Sequence, residues 1–210
     1  LVTDPLGQRG QVIRSTLLRG DGAAISALVG SRRSELSQTS VLQARNTVYW
    51  VKFDTLMLSP WPIDPDWASS YRIQAIAQMH DTPDGSDTGR APPFEVYAAG
   101  PTLIIECAGA LNHLNDNAGQ LRRILWTIPV AQVLDAWQSW VVRVVWDHRS
   151  AANGGSPEFI IWRNGRRVFQ EAGTQNCFND AAGIFLTTGM YSPISWAASP
   201  VDRVAYSTGM

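Results

Sequence analysis

Over much of this chain, apolar and polar residues alternate with a period of two. Gln11 to Arg19 (QVIRSTLLR), Thr47 to Met57 (TVYWVKFDTLM), Tyr71 to His80 (YRIQAIAQMH), Trp137 to Asp147 (WQSWVVRVVWD) and Glu158 to Asn164 (EFIIWRN) carry the pattern, and Gly183 to Tyr191 and Val201 to Ser207 close the set. Such a period gives each segment one face to bury and one to show. In the third segment Tyr71, Ile73, Ala75, Ala77 and Met79 should share a face, with Arg72, Gln74, Ile76, Gln78 and His80 on the other. Asn164-Gly165, between EFIIWR and RRVFQ, predicts a type I′ hairpin, because both residues tolerate positive φ. Helical signal is confined to a turn or two within Pro129 to Trp137. Many short strands, Pro and Gly spread through the connections and no internal repeat predict one antiparallel all-β sandwich over residues 1–210. Concave sandwich faces and long loops, here Ser59 to Ser70, Asp81 to Pro93 and Ala108 to Gln120, commonly bind ligands.

Composition narrows the partners. A 210-residue chain buries about 70% of its unfolded surface. A net charge of −1 gives no global pull toward nucleic acid or an anionic membrane, and no apolar run approaches the ~20 residues of a span. No secretory leader is read at the start of the chain. The nine Trp suit either a large β core or platforms for sugar rings, with Trp50, Trp61, Trp67 and Trp126 as platform candidates. Cys107 and Cys177 match no zinc or CxxC spacing, which leaves a disulfide or two small buried hydrophobes.

Three short segments hold residues suited to chemistry. In Arg33-Ser34-Glu35-Leu36, Arg33 and Glu35 share a strand face, as an ion pair or as ligand groups. Gln78-Met79-His80 presents Gln78 and His80 together, opposite an apolar Met79. In Phe185 to Tyr191 (FLTTGMY), Phe185, Thr187, Gly189 and Tyr191 all face one way.

Taken in order, these segments resemble the alginate lyases, which carry an R-[ST]-E-[LV] strand, a Q-[IV]-H strand and a Y-F-K-A-G-x-Y strand. The intervening stretches are similar to the heparin lyase I and glucuronan lyase group: Ala91-Pro92-Pro93-Phe94, Gly100 to Ile104, Trp137 to Trp140, Val144 to Asp147 and Ile161 to Gly165. The resemblance implies a concanavalin A-like β-jelly roll with an acidic polysaccharide (glucuronan, alginate or a heparin-like glycan) in a concave groove. It implies β-elimination on a uronate. That reaction needs a group to stabilise charge spreading onto the uronate carboxylate, a base for the C5 proton, and an acid for the departing glycosidic oxygen. By resemblance Gln78 and Arg33 meet the carboxylate and His80 is the base for one C5 configuration. Tyr191 is the acid, or both base and acid for the other configuration. Glu35, Arg72, Arg163 and Thr187 are expected to bind substrate. No metal or organic cofactor is expected, although some related lyases hold a structural calcium; Asp84, Asp87 and Asp116 lack the spacing of an EF-hand loop. Such a substrate places the protein outside the cell, as a secreted enzyme or part of a virion or surface assembly.

Where the family has Lys, this chain has Thr187, and Phe185 replaces an opening Tyr. The lost cation could be replaced by Arg72 or by Arg163, Arg166 and Arg167 near the hairpin. Of Arg122 and Arg123, alternation lets at most one face substrate. The alternative is a non-catalytic glycan-binding module of the same fold. A glycoside hydrolase would need paired carboxylates about 5–5.5 or 6.5–9.5 Å apart, and none of the five Glu stands in an E-x-D-x-E arrangement. His113 and His148 read as loop residues.

Overall fold

The computed structural model describes residues 1–17, 32–40, 42–64, 67–68, 73–82, 84, 90–111, 120–192 and 202–208. Among them lie thirteen strands: β1 (Val2–Thr3), β2 (Gln11–Leu17), β3 (Arg32–Ser37), β4 (Val48–Met57), β5 (Ile73–His80), β6 (Phe94–Ala99), β7 (Thr102–Gly109), β8 (Leu121–Pro129), β9 (Gln138–Val145), β10 (Glu158–Arg163), β11 (Arg166–Ala172), β12 (Phe185–Ser192) and β13 (Arg203–Thr208). The helical signal after Pro129 shrinks to a 3-10 turn at Val130–Gln132. No helix among the described residues is long and apolar enough to cross a membrane.

The strands form two antiparallel sheets. One has seven strands in the order β1-β2-β13-β4-β9-β10-β11. The other has six, β3-β12-β5-β6-β7-β8. This is the expected sandwich, with each sheet mixing strands distant in sequence. The hairpin forms as expected: Asn164 (φ 50°) and Gly165 (φ 78°) join β10 to β11.

The core between the sheets draws on both. Phe53, Trp140, Val142, Val144, Trp146, Phe159 and Ile161 face it from the seven-stranded sheet. Met79, Phe94, Val96, Leu103, Ile105, Leu186 and Met190 face it from the other. Three buried indoles have their N–H groups satisfied. Trp140 donates to Thr55 (3.0 Å), Trp146 to Gln43 (2.8 Å) and Trp137 to Asp4 (3.0 Å). Each of these therefore buries its apolar body without stranding its donor, and its removal should cost about 3–5 kcal/mol. Cys107 and Cys177 are free thiols in the same core, and burial pushes Cys107 up to about 12.

One departure sets the site. Period-two alternation places Ala75 with Ala77 and Met79. Instead β5 carries a bulge: Ala75 pairs with Tyr97 and Ala77 with Val96, so Ile76 is an extra residue. The bulge resets the phase. Ile76, Ala77 and Met79 enter the core, while Ala75 and Ile73 pack with Tyr97, Ala99, Ile104 and Tyr191 on the opposite face.

Candidate active site

The outer face of the six-stranded sheet collects the three segments singled out in the sequence. β12 runs between β3 and β5. Tyr191 pairs with Arg33 on one side and Ala75 on the other; Thr187 pairs with Ser37 and Gln78; Phe185 pairs with His80. Leu186 and Met190 go into the core, so Phe185, Thr187 and Tyr191 turn outward as alternation requires. Gly189, opposite Glu35, sits at φ +124°. A Cβ there would run into the Ser34 carbonyl and come within 2.7 Å of Glu35 Cα and 2.8 Å of Ser15 Oγ, so only glycine lets β3 approach.

The Arg33 guanidinium lies over the Tyr191 ring, 4.6 Å from its centroid, which fixes both side chains. His80 stacks on Phe185 at 5.9 Å and 19°. Its Nδ1 lies 2.9 Å from the Asp81 carbonyl oxygen. That oxygen can only accept, so Nδ1 carries the proton and the neutral ring has its lone pair on Nε2. Burial disfavours the imidazolium, but hydrogen bonds from the His80 ring to the Asp81 side chain and backbone, with the Asp81 charge, outweigh it, and the His80 pKa rises. Asp81 is itself held: Arg90 donates to it at 2.6 Å, pairs also with Asp180, and lies 4.2 Å over the Phe178 ring. Burial would raise Asp81, yet hydrogen bonds with His80, Asp180 and Arg90 win and keep it ionised.

Three carboxylates share this face, and the sequence reading leaves two of them out. Gln78 is buried and donates through Nε2 to Glu95 Oε1 at 2.6 Å. Burial, with help from Glu106 and Glu35, pushes Glu95 up to about 7 against the hydrogen bond from Gln78 and the charge of His80. Glu106 accepts from the Tyr97 hydroxyl at 2.8 Å and forms an ion pair with Arg122. Burial raises Glu35, opposed by the charges of Arg33 and His80. The two clusters are thus one electrostatic unit, since Glu35 feels Arg33 and His80 together. Glu95 and Glu106 sit in the apolar runs FEVYAA and LIIECAG. A lone carboxylate inside such a run is the available signal, because buried Glu is kept only where it is paired or used.

The remaining expected residues fall differently. Thr187 is 4% exposed, and its hydroxyl lies 2.8 Å from that of Ser37, so it is committed to β3. Arg72, Tyr71, His113, Asp87 and Asp116 lie outside the described residues. Arg163 does not join the site, because β10 belongs to the other sheet; it packs over Trp126 instead. Arg122 and Arg123 point opposite ways, as expected: Arg122 to Glu106 on the outer face, Arg123 to Glu171 of β11. Trp61 is core and Trp126 packs edge-on to Trp140. Trp67 covers Gly100, and the exposed Trp50 stacks on Trp162 at 5.5 Å on the seven-stranded sheet. Among the described residues no group of three His, Cys, Asp or Glu is arranged to hold a metal ion.

The Polysaccharide lyase family model matches residues 2–209. The chain belongs to that family. In fold it is similar to the endo-β-1,4-glucuronan lyase of the fungus Trichoderma reesei, at 17% identity and a TM-score of 0.69, over 93% of this chain and 78% of that one. It is also similar to the family 7 alginate lyase A1-II′, at 15% identity and a TM-score of 0.55, over 98% and 78% of the two chains. Curated protein sequences returned no match. The polysaccharide lyase therefore places Arg33, Gln78, His80 and Tyr191 on one face of a jelly-roll sheet, with an apolar floor of Ala75, Tyr97 and Ile104 beside them.

Proposed function

We propose that this lyase cleaves a uronate-containing polysaccharide by β-elimination on the outer face of the six-stranded sheet. What carries the reading is that Arg33, Gln78, His80 and Tyr191 share that face in a chain of the polysaccharide lyase family.

The uronate carboxylate sits between Gln78 and Arg33. One amide hydrogen of Gln78 is spent on Glu95, and the other is available for a carboxylate oxygen. These donors stabilise the charge that spreads onto the carboxylate as the C5 proton leaves. His80 Nε2 takes that proton. The electron pair of the C5–H bond forms the C4–C5 double bond, the C4–O bond breaks, and the Tyr191 hydroxyl gives its proton to the departing oxygen. For a uronate with its C5 proton on the other side, Tyr191 serves as both base and acid. His80 and Tyr191 then exchange protons with solvent. Side chains supply every step of this scheme, and no cofactor enters it.

Charge favours an unsulfated polymer, a glucuronan or an alginate, over a heparin-like chain. Arg122 is already paired with Glu106, and the family's lysine is replaced by the committed Thr187. A carboxylate about 5 Å from an ionised Glu would be repelled by about 3 kcal/mol at an effective dielectric constant of 20. Substrate therefore binds best with Glu95 protonated. A polysaccharide substrate is met outside the cytoplasm, which favours a secreted or surface-displayed enzyme.

The test is to incubate the protein with polyglucuronate, alginate and heparin and follow the ultraviolet absorbance of the unsaturated uronate. Product is expected from an unsulfated polymer, and Tyr191→Phe should abolish it while keeping most of the affinity. Binding across the panel with no product would instead mark a glycan-binding module.

A further inference from the structure

At the open edge between the two sheets, β8 and the β10–β11 hairpin border an open cavity of about 560 Å³. Trp126 and Ile128 line it from β8, and Arg163, Arg166 and Arg167 from the hairpin. None of the residues lining it is acidic.

Two of its three cations are held by neutral groups. Arg163 donates from Nε to Gln138 Oε1 at 2.8 Å and from Nη2 to the Gln132 carbonyl at 3.2 Å, with its guanidinium 5.7 Å from the Trp126 ring centroid. Burial presses its pKa down and no carboxylate acts on it. Arg167 donates to Gln170 at 2.6 Å, and Arg166 is exposed at the turn. Among the described residues none of the three has an acidic partner, whereas Arg33, Arg90, Arg122, Arg123, Arg143 and Arg149 each lie in the field of a carboxylate. The hairpin is rigid as well. Asn164 exchanges bonds with Ser139 through its backbone N–H and its side-chain oxygen, both at 2.8 Å, and its amide donates to Gln138. Guanidiniums on one pocket with no counter-charge, one of them held in place over Trp126, are suited to carboxylates.

Position says whose carboxylates. β8 is the edge strand of the sheet that bears the active site, three strand spacings from β5, or ~14 Å. Its outer face carries Arg122 toward the site, and its inner face lines the cavity through Trp126. A polymer that runs from the site across β6 and β7 would meet this edge next.

We propose that the cavity is a second glycan subsite, in which Arg163, Arg166 and Arg167 take a carboxylate-bearing sugar several residues along the polymer being cleaved. The proposal rests on the uronate lyase reading above.

The test compares Arg166→Ala/Arg167→Ala, both exposed and off the core, with the parent protein. Long polyuronate and a trisaccharide are titrated calorimetrically in a Tyr191→Phe background, and KM and kcat are measured without that change. The double variant should lose about three- to tenfold in affinity for the long chain and raise its KM by a similar factor. The trisaccharide, which fills only the active site, should bind both proteins equally. An equal loss for trisaccharide and long chain would overturn the proposal, as would an unchanged long-chain KM. So would inorganic phosphate or duplex DNA binding through these arginines as tightly as the long chain. Absence of unsaturated product from the parent protein would mean failure of the lyase reading; product with an unchanged long-chain KM would mean failure of the second subsite alone.

Discussion

Replacing Glu95 by glutamine tests the electrostatics of the site most directly. Glu95 is 3% exposed, bonded to Gln78, and titrates at about 7 in place of 4.5. In the unfolded chain it loses its proton near 4.5; in the folded protein it keeps it to about 7. Between these values the native state binds more protons, so stability is full below pH 4.5 and falls as pH rises to about 7. The difference is about 3 kcal/mol at 1.36 kcal/mol per pH unit. The introduced amide would imitate the protonated acid and can still accept from Gln78 through its oxygen. The Glu95→Gln variant should match the parent at pH 4.5 and exceed it by about 3 kcal/mol at pH 8, or about 6–12 °C in Tm for a domain of this size. Thermal unfolding followed by circular dichroism from pH 4 to 8 measures this. Turnover gives a second readout, since an ionised Glu95 repels the substrate carboxylate. The alkaline decline of kcat/KM should begin near pH 7 in the parent and recede in the variant. A Tm difference that does not change with pH, or a parent protein more stable at pH 8, would refute the reasoning.

Other outcomes follow from the same geometry. Activity on the substrate configuration that uses His80 as base should rise with pH through a value above the ordinary 6.5, because neutral His80 is required and Asp81 stabilises the imidazolium; a midpoint below 6.5 would remove His80 from the role. Gly189→Ala adds both backbone strain and overpacking against β3, about 2–6 kcal/mol together, so denaturant unfolding should show the loss and turnover should fall as Arg33 and Glu35 shift. A change under 1 kcal/mol would mean that β3 yields freely.

Legibility in the sequence tracks periodicity. β5, β9, β10 and β12 alternate and can be read, and with them the outward placement of Gln78, His80 and Tyr191. β6 is buried along its whole length, so FEVYAA has no period to detect, and Glu95 is hidden with it. Glu106 is concealed in the similarly buried β7. The bulge at Ile76 leaves no mark in the pattern, because alanines on either side satisfy both the core and the groove. That Arg163 stands on the other sheet, apart from Gln78 and His80, could not be read either: motif order along the chain carries no information about which sheet a strand joins.

Alternation on the six-stranded sheet has an evolutionary corollary. On β5 and β12 the residues that face outward and those that hold the sandwich together occupy interleaved positions, Gln78 and His80 around Met79, Phe185 and Thr187 around Leu186. Drift in one set leaves the other nearly untouched, so substrate preference can diverge while the scaffold stays constant. That separation breaks down at Gly189, where the path of the backbone itself shapes the groove. Descendants of this fold should therefore differ more readily at the outward positions of these strands than at 189.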